Sequence, residues 1–378
     1  MRILIIPHLP TLYGRRYQLA KHLSKNNEVY LITWSMPYPF TINNLLDSLL
    51  NSFKSNSYKK ERINILKIKR FPFFLPYFNR YLFQKQIENV FTKNKIDIII
   101  SQTYFNEVKP PTNLPLIYDF NDYHPAFAQI YGSLLYKLGF FILQVNKTMD
   151  DQISRAKGVV VVSDYLYKYA SKLNKNVYKL PNGVEQDYIN HSKTTEKVNK
   201  YSIVYISNFG KWSKLQEIIY VINKLRVEFP QIKLTLIGNG TEINSAKKLV
   251  NKLILEKNVV FLGKINDRSK LIQITKKHSI CLNISDNNFF RNSASPIKYF
   301  EYSALQKIII STELNEIKKL NFPNTYFVKE NVFENNLSLL IKNIFKTNPK
   351  TSNTHKYMSK YTWENIINKY QTLIEKSL

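Results

Sequence analysis

The run Ser295-Pro296-Ile297-Lys298-Tyr299-Phe300-Glu301 sets a hydroxyl, a proline, a lysine and a glutamate within one short stretch. Ser295 is an apt N-cap and Pro296 an apt first helical residue, so the spacing predicts a helix over 296–304. The unpaired amides at its start, with the helix dipole behind them, suit an anion such as a pyrophosphate. Lys298 in the first turn opposes that dipole, which an anion contact would explain. Glu301, one turn further on, can accept hydrogen bonds from a ribose diol. On spacing alone, the same run also reads as a capped structural helix.

A second group follows the apolar run ending at Tyr118. In Asp119-Phe120-Asn121-Asp122-Tyr123-His124-Pro125, a carboxylate and an imidazole at a strand end can orient reacting hydroxyls. Asp122 and His124 are the catalytic candidates, and Asp119 reads as a turn or cap. Asp119 and Asp122 lack the partner cluster that a metal needs, so no metal is expected. Asp150-Asp151 reads as a solvated helical pair.

Glycine is scarce, 9 in 378 residues, well below the usual roughly 7%. Those present are expected where backbone geometry demands them. Gly14 opens a helix beginning Arg15-Arg16, where a phosphate or sugar can approach backbone amides, although an ordinary turn fits equally well. Gly238 and Gly240 sit between a strand and a helix, in a pattern too short for a dinucleotide fingerprint.

These residues need elements to position them. In the first half the spacing predicts strands at 2–6, 28–34, 63–69, 96–100, 116–118 and 159–162. Helices are expected at 15–25, 81–93 and, unbroken, 134–156. After a polar linker at 191–200 the alternation restarts, with strands at 202–206, 233–237, 259–262, 280–284 and 308–311 and helices between them. Continuously apolar strands alternating with helices imply parallel sheets covered on both faces. The expected domains are 1–190 and 200–358, closed by a helix within 359–378. Ligands in such sheets bind at the carboxyl ends of the strands.

Charge is lopsided, 55 Lys+Arg against 27 Asp+Glu, but evenly spread. Residues 1–200 and 201–378 each carry a net +14, which counts against a basic nucleic-acid-binding arm. The densest stretch, 51–100, holds 11 basic and 3 acidic residues around Phe71-Pro72-Phe73-Phe74-Leu75-Pro76-Tyr77-Phe78. Basic plus aromatic residues suit single-stranded nucleic acid or an anionic membrane surface, the latter with apolar Leu134–Leu143 as a second contact; ordinary packing beside solvated lysines reads at least as well. No run is long enough to span a bilayer. The lone Cys281 excludes an intrachain disulfide and points to a reducing, cytoplasmic setting.

Taken in order, Leu180-Pro181-Asn182-Gly183-Val184-Glu185, Leu236-Ile237-Gly238-Asn239-Gly240, Phe261-Leu262-Gly263 and the 295–304 helix resemble the retaining GT-B glycosyltransferases of the family 4 type. The closing Tyr361-Thr362-Trp363-Glu364 and its amphipathic helix are similar to that family's last helix, which crosses back to the first domain. The resemblance implies two doubly wound Rossmann-like domains facing a cleft, and transfer from a nucleotide-sugar donor to a glycan or lipid-linked acceptor. It implies retention and needs no metal or other cofactor. Glu301 matches the family's ribose-binding glutamate. The partner glutamate, seven intervening residues earlier in the family, is Ser293 here. The loop Ser207–Lys214 is similar to the phosphate-contacting loop, with Asn208 in place of an arginine and Lys211 or Lys214 in the basic role. Gly238, Lys298 and Ser295 complete the implied donor side, with Gly14 and Arg15 on the acceptor or phosphate side. A nucleotide-binding scaffold without transfer is the alternative that Ser293 and Asn208 raise.

Overall fold

The computed structural model describes residues 1–9, 12–34, 57–69, 76–104, 114–192 and 196–378. The aromatic run 71–75 lies outside them. The chain divides into two compact units: Met1–Pro181 with Trp363–Leu378, and Asn182–Thr362. The division falls at Pro181/Asn182 rather than at the polar stretch 191–200, because Val184, Tyr188 and Ile189 already pack in the core of the second unit.

Unit 1 contains β1 (Arg2–Ile6), α1 (Arg15–Leu23), β2 (Glu28–Trp34), β3 (Tyr58–Lys60), β4 (Ile63–Ile68), α2 (Pro76–Asn94), β5 (Ile98–Ser101) and β6 (Leu116–Phe120). It continues with α3 (His124–Tyr131), α4 (Leu134–Ile142), α5 (Val145–Arg155), β7 (Gly158–Val161), α6 (Asp164–Ala170) and β8 (Val177–Lys179). The described strands form one sheet in the order β3-β4-β2-β1-β5-β6-β7-β8, parallel except for β3. Ile3, Leu4, Ile5 and Ile6 are all fully buried, as a strand covered on both faces must be. The strand order reverses between β1 and β5, and that switch point is where ligands bind in such sheets.

The helix expected over 134–156 is two helices. Gln144 takes a left-handed φ of 48° between α4 and α5, so the axis breaks there without a glycine or proline to announce it. The C-terminal helix, Trp363–Ser377, belongs to unit 1. It buries Trp363, Ile366, Ile367, Tyr370, Leu373 and Ile374, a stripe with helical spacing. Its Glu364 pairs with Lys25 at 2.7 Å, and Gln371 accepts from the Asn27 amide at 3.0 Å.

Unit 2 contains α7 (Gln186–His191), β9 (Asn199–Ile206), α8 (Leu215–Leu225), β10 (Lys233–Ile237), α9 (Ile243–Lys252), β11 (Val259–Gly263), α10 (Arg268–Lys276) and β12 (His278–Asn283). Then come α11 (Phe289–Asn292), α12 (Ile297–Ala304), β13 (Ile308–Thr312), α13 (Asn315–Leu320), β14 (Thr325–Val328) and α14 (Phe333–Thr347). Its sheet is fully parallel, ordered β11-β10-β9-β12-β13-β14, with the switch point between β9 and β12.

Candidate functional site

Unit 2 gathers its charged groups at that switch point. The loop after β9 is held by backbone bonds to the loop after β10: Ser207 N donates to Ile237 O at 3.0 Å and Phe209 N to Asn239 O at 2.8 Å. This closeness fixes Gly238, whose φ is 136° and where a β-carbon would lie 1.8 Å from the Ser207 carbonyl oxygen. Gly238 therefore shapes the loop rather than contacting a ligand through a side chain.

The second arm follows β12. α11 carries Arg291, and α12 carries Lys298 and Glu301. Lys298 Nζ stands 4.6 Å from the centre of the Tyr205 ring. Burial, reinforced by the nearby Arg291 cation, pulls the Lys298 ammonium down to about 7. The Arg291 Nε is buried with no hydrogen-bond partner among the described residues. Burial also pushes the Glu301 carboxyl up to about 7, against the pull of the Tyr188 hydroxyl, which hydrogen-bonds it, and of Arg268 and Lys298. Arg268 in turn holds Glu185 at 2.7 Å. A desolvated lysine beside a buried carboxylate, with an arginine Nε lacking a partner among the described residues, forms a place where an anion and a diol would relieve unmet charge and hydrogen bonding.

Other donor-side candidates sit elsewhere. Ser295 does not cap α12, because Pro296 occupies the N-cap with no side-chain bond. Instead, the Ser295 hydroxyl accepts from Asn182 N at 3.2 Å and its carbonyl from the Asn182 amide at 2.6 Å, pinning the Pro181-Asn182-Gly183 turn. Ser293 is fully buried and its hydroxyl donates to the Phe290 carbonyl at 2.7 Å. Lys214 pairs with Glu330 at 3.1 Å and Asp286 at 3.4 Å. Burial opposes its charge, but those two carboxylates outweigh it and hold its pKa above the ordinary value. Lys211, in a single 3-10 turn, and Asn208 are exposed. Of the two lysines, only Lys214 pairs with carboxylates among the described residues.

Unit 1 brings Asp122 and His124, from the end of β6, together with His8 from the end of β1. One ligand atom from each lies within 4.8 Å of the others. The His124 ring stacks on Tyr104, which follows β5, and lies 5.1 Å from the His8 ring. Burial, and then Arg16, lower His124 to about 3 and His8 well below its ordinary value, so both rings are neutral at neutral pH. The Arg16 guanidinium reaches within 3.4 Å of His8 Nε2 and is itself pulled down to about 10 by burial. That cation stands where a metal ion would be repelled, although the three side chains have ligand chemistry.

Arg15 does not face a ligand. It is 5% exposed and clamps Asp119 through Nε and Nη2 at 2.9–3.1 Å, while Nη1 donates to the Pro181 carbonyl at 3.1 Å. Gly14 caps α1 with a φ of 69° and open space where a side chain would stand. Asp150 is no mere solvated pair member, since it accepts from the Tyr169 hydroxyl at 2.6 Å. The sequence reading missed His8, Arg16, Tyr104, Tyr188 and Arg291. Their shared signal is position, just beyond strand ends or on the first helical turns that follow.

Residues 187–362 match the family model for glycosyl transferases group 1. The match takes in nearly all of unit 2, which is similar to the group 1 glycosyltransferase domains. A relative of known activity, N-acetyl-alpha-D-glucosaminyl L-malate synthase from Bacillus anthracis, is 27% identical over 133 residues, 32% of this chain. The match spans 35% of that relative's length. Over nearly the whole chain the architecture is that of solved GT-B proteins. Sucrose-phosphate synthase from Thermosynechococcus elongatus superposes with a TM-score of 0.73 at 13% identity, covering 99% of this chain and 98% of the other. HepE from Anabaena, solved with UDP and glucose, gives 0.70 at 15% identity with both chains fully covered. Unit 2 thus carries Arg291, Lys298 and Glu301 at its topological switch point.

Proposed function

We propose that the chain is a glycosyltransferase that moves a sugar from a nucleotide-sugar donor to a glycan or lipid-linked acceptor, with retention and without a metal. The carrying observation is the juxtaposition of desolvated Lys298, and of Arg291 with its partnerless buried Nε, with Glu301 at the β9/β12 switch point. A nucleoside diphosphate supplies both the anion that this corner lacks and the ribose diol that a carboxylate would accept from. The relative solved with UDP and glucose supports the same donor class.

In this reading the bond between the anomeric carbon and the diphosphate oxygen breaks, and negative charge grows on the departing diphosphate. Lys298, already desolvated, and the neighbouring Arg291 stabilise that charge more in the transition state than in the bound donor. Lys211 adds a flexible cation from the loop after β9. The acceptor hydroxyl forms the new bond on the same face of the sugar and gives its proton to the departing phosphate oxygen. His8 and His124, neutral at working pH, and Asp122 orient acceptor hydroxyls in unit 1.

Incubation with radiolabelled UDP- and GDP-sugars and a membrane glycolipid extract tests the reading. Label transferred to acceptor with release of nucleoside diphosphate is expected. Tight nucleotide binding with neither transfer nor hydrolysis would favour the non-transferring scaffold that Ser293 and Asn208 raise.

A further inference from the structure

An apolar helix that turns an apolar face outward needs an explanation, because soluble chains seldom expose such patches without a partner. α4 is one. Its inner side, Tyr136, Phe140 and Leu143, packs with Tyr104, Ala128 and Val145 in a small core of its own. Its outer side shows Leu134 and Phe141 each 82% exposed and Leu138 50% exposed, one continuous stripe at i, i+4 and i+7. Ile142 beside them and Ile130 at the end of α3 are exposed as well. Arg80 of α2 ties this corner to the next helix by donating to the Leu143 carbonyl at 2.8 Å and the Thr148 hydroxyl at 3.1 Å. Phe78 and Tyr81, on the same turn of α2, are also exposed.

The charge around this face is of one sign. Residues 123–149 hold Lys137 and Lys147 and no acidic side chain. Residues 76–87, in α2, add Arg80 and Lys85 and no acid. A second copy, as basic as the first, would be repelled from such a face. An anionic lipid surface satisfies both features, taking the apolar stripe below the headgroups and the cations at their level.

We propose that the outer face of α3 and α4, with Phe78 and Tyr81 of α2, docks the protein on an anionic bilayer. The interface is peripheral, and no described helix is long and apolar enough to cross a membrane. The docking face also touches the candidate acceptor side. His124 opens α3, whose eight residues span roughly 12 Å at about 1.5 Å each, and α4 starts three residues after its end. Tyr104 bridges the rest, stacked on His124 at 3.7 Å and 6.0 Å from the Phe140 ring on the inner side of α4. A lipid-linked acceptor would thus meet His8, Asp122 and His124 close to the membrane plane.

The test is co-sedimentation of the full chain with phosphatidylglycerol-containing and pure phosphatidylcholine vesicles at low and high salt. Binding to the anionic vesicles, weakened by salt, is expected for the wild type. The variant Leu134→Ser/Leu138→Ser/Phe141→Ser should lose more than about a hundredfold in vesicle affinity with unchanged melting, since three insertable side chains are removed from a solvent-facing stripe. The charge variant Lys137→Glu/Lys147→Glu, which leaves the apolar stripe intact, should bind several-fold more weakly. Wild-type protein left in every supernatant, or both variants sedimenting like the wild type, overturns the proposal. Concentration-dependent self-association abolished by the triple variant, without vesicle binding, overturns it in favour of a second copy. No donor or acceptor enters this assay, so a failure of the transfer reading leaves its outcome unchanged.

Discussion

The Tyr104 ring lies stacked on the His124 imidazole, centroids 3.7 Å apart and planes 22° from parallel. With Arg16 close by, this contact keeps the imidazole out of water and uncharged, its pKa held down at about 3 by burial and then by Arg16. A neutral imidazole can orient a hydroxyl without carrying a positive charge into the site.

The linkage consequence concerns acid. An unfolded histidine takes up its proton near 6.5, whereas folded His124 resists until about 3. Its contribution to stability is therefore full above 6.5 and is lost as pH falls from 6.5 towards 3. Urea denaturation between those limits should show His124→Gln losing stability on acidification less steeply than the wild type, by up to one proton. Identical slopes would mean that His124 is charged in the folded protein.

Arg15 and Asp119 form a buried pair, and Gln102 adds a 2.6 Å bond to the same carboxylate. Removing one partner strands the other charge in the core. Asp119→Leu or Arg15→Leu alone should lower stability by about 3–5 kcal/mol, and the double substitution by less than the sum. Additive losses would show that the two do not depend on each other. The same assay separates this structural role from the phosphate contact that the position of Arg15 beside Gly14 invited.

That misplacement shows where sequence reasoning stops. Strands such as Ile3–Ile6 and Val159–Val161 were legible because burial on both faces demands an unbroken apolar run. The restart of alternation after residue 200 was legible for the same reason, and the amphipathic C-terminal helix by its stripe. The break at Gln144 was not, since a left-handed residue that is neither Gly nor Asn leaves no local mark. Arg15 was placed at the ligand and Arg16 was given no role, because the roughly 100° between neighbouring helical residues decides which arginine faces the core and which faces His8. Arg291 and Tyr188 were silent for a related reason. Each matters through a neighbour, Lys298 or Glu301, that only the folded chain brings near.

His8, Asp122 and His124 have the ligand types for a divalent ion, yet Arg16 faces them with a guanidinium. Transfer should therefore survive treatment with EDTA at the wild-type rate, measured as nucleoside diphosphate released per enzyme. Activity abolished by the chelator and restored by zinc or manganese would assign the triad to a metal and displace Arg16 from its corner.

Glu301 is the residue on which the account turns, and calorimetric titration with UDP and GDP tests it most directly. Wild-type protein should bind at least one of them, and Glu301→Ala should bind it more weakly by about 1.5–3 kcal/mol, the contribution of hydrogen bonds to a charged acceptor. Burial brings both the Glu301 carboxyl and the Lys298 ammonium to about 7, so acidification weakens the ribose acceptor while it restores the lysine charge; Glu301→Gln, left with the lysine step alone, should gain affinity on acidification through that value more than the wild type does. Unchanged affinity in Glu301→Ala, with the fold intact, would contradict the placement of the nucleotide at this site.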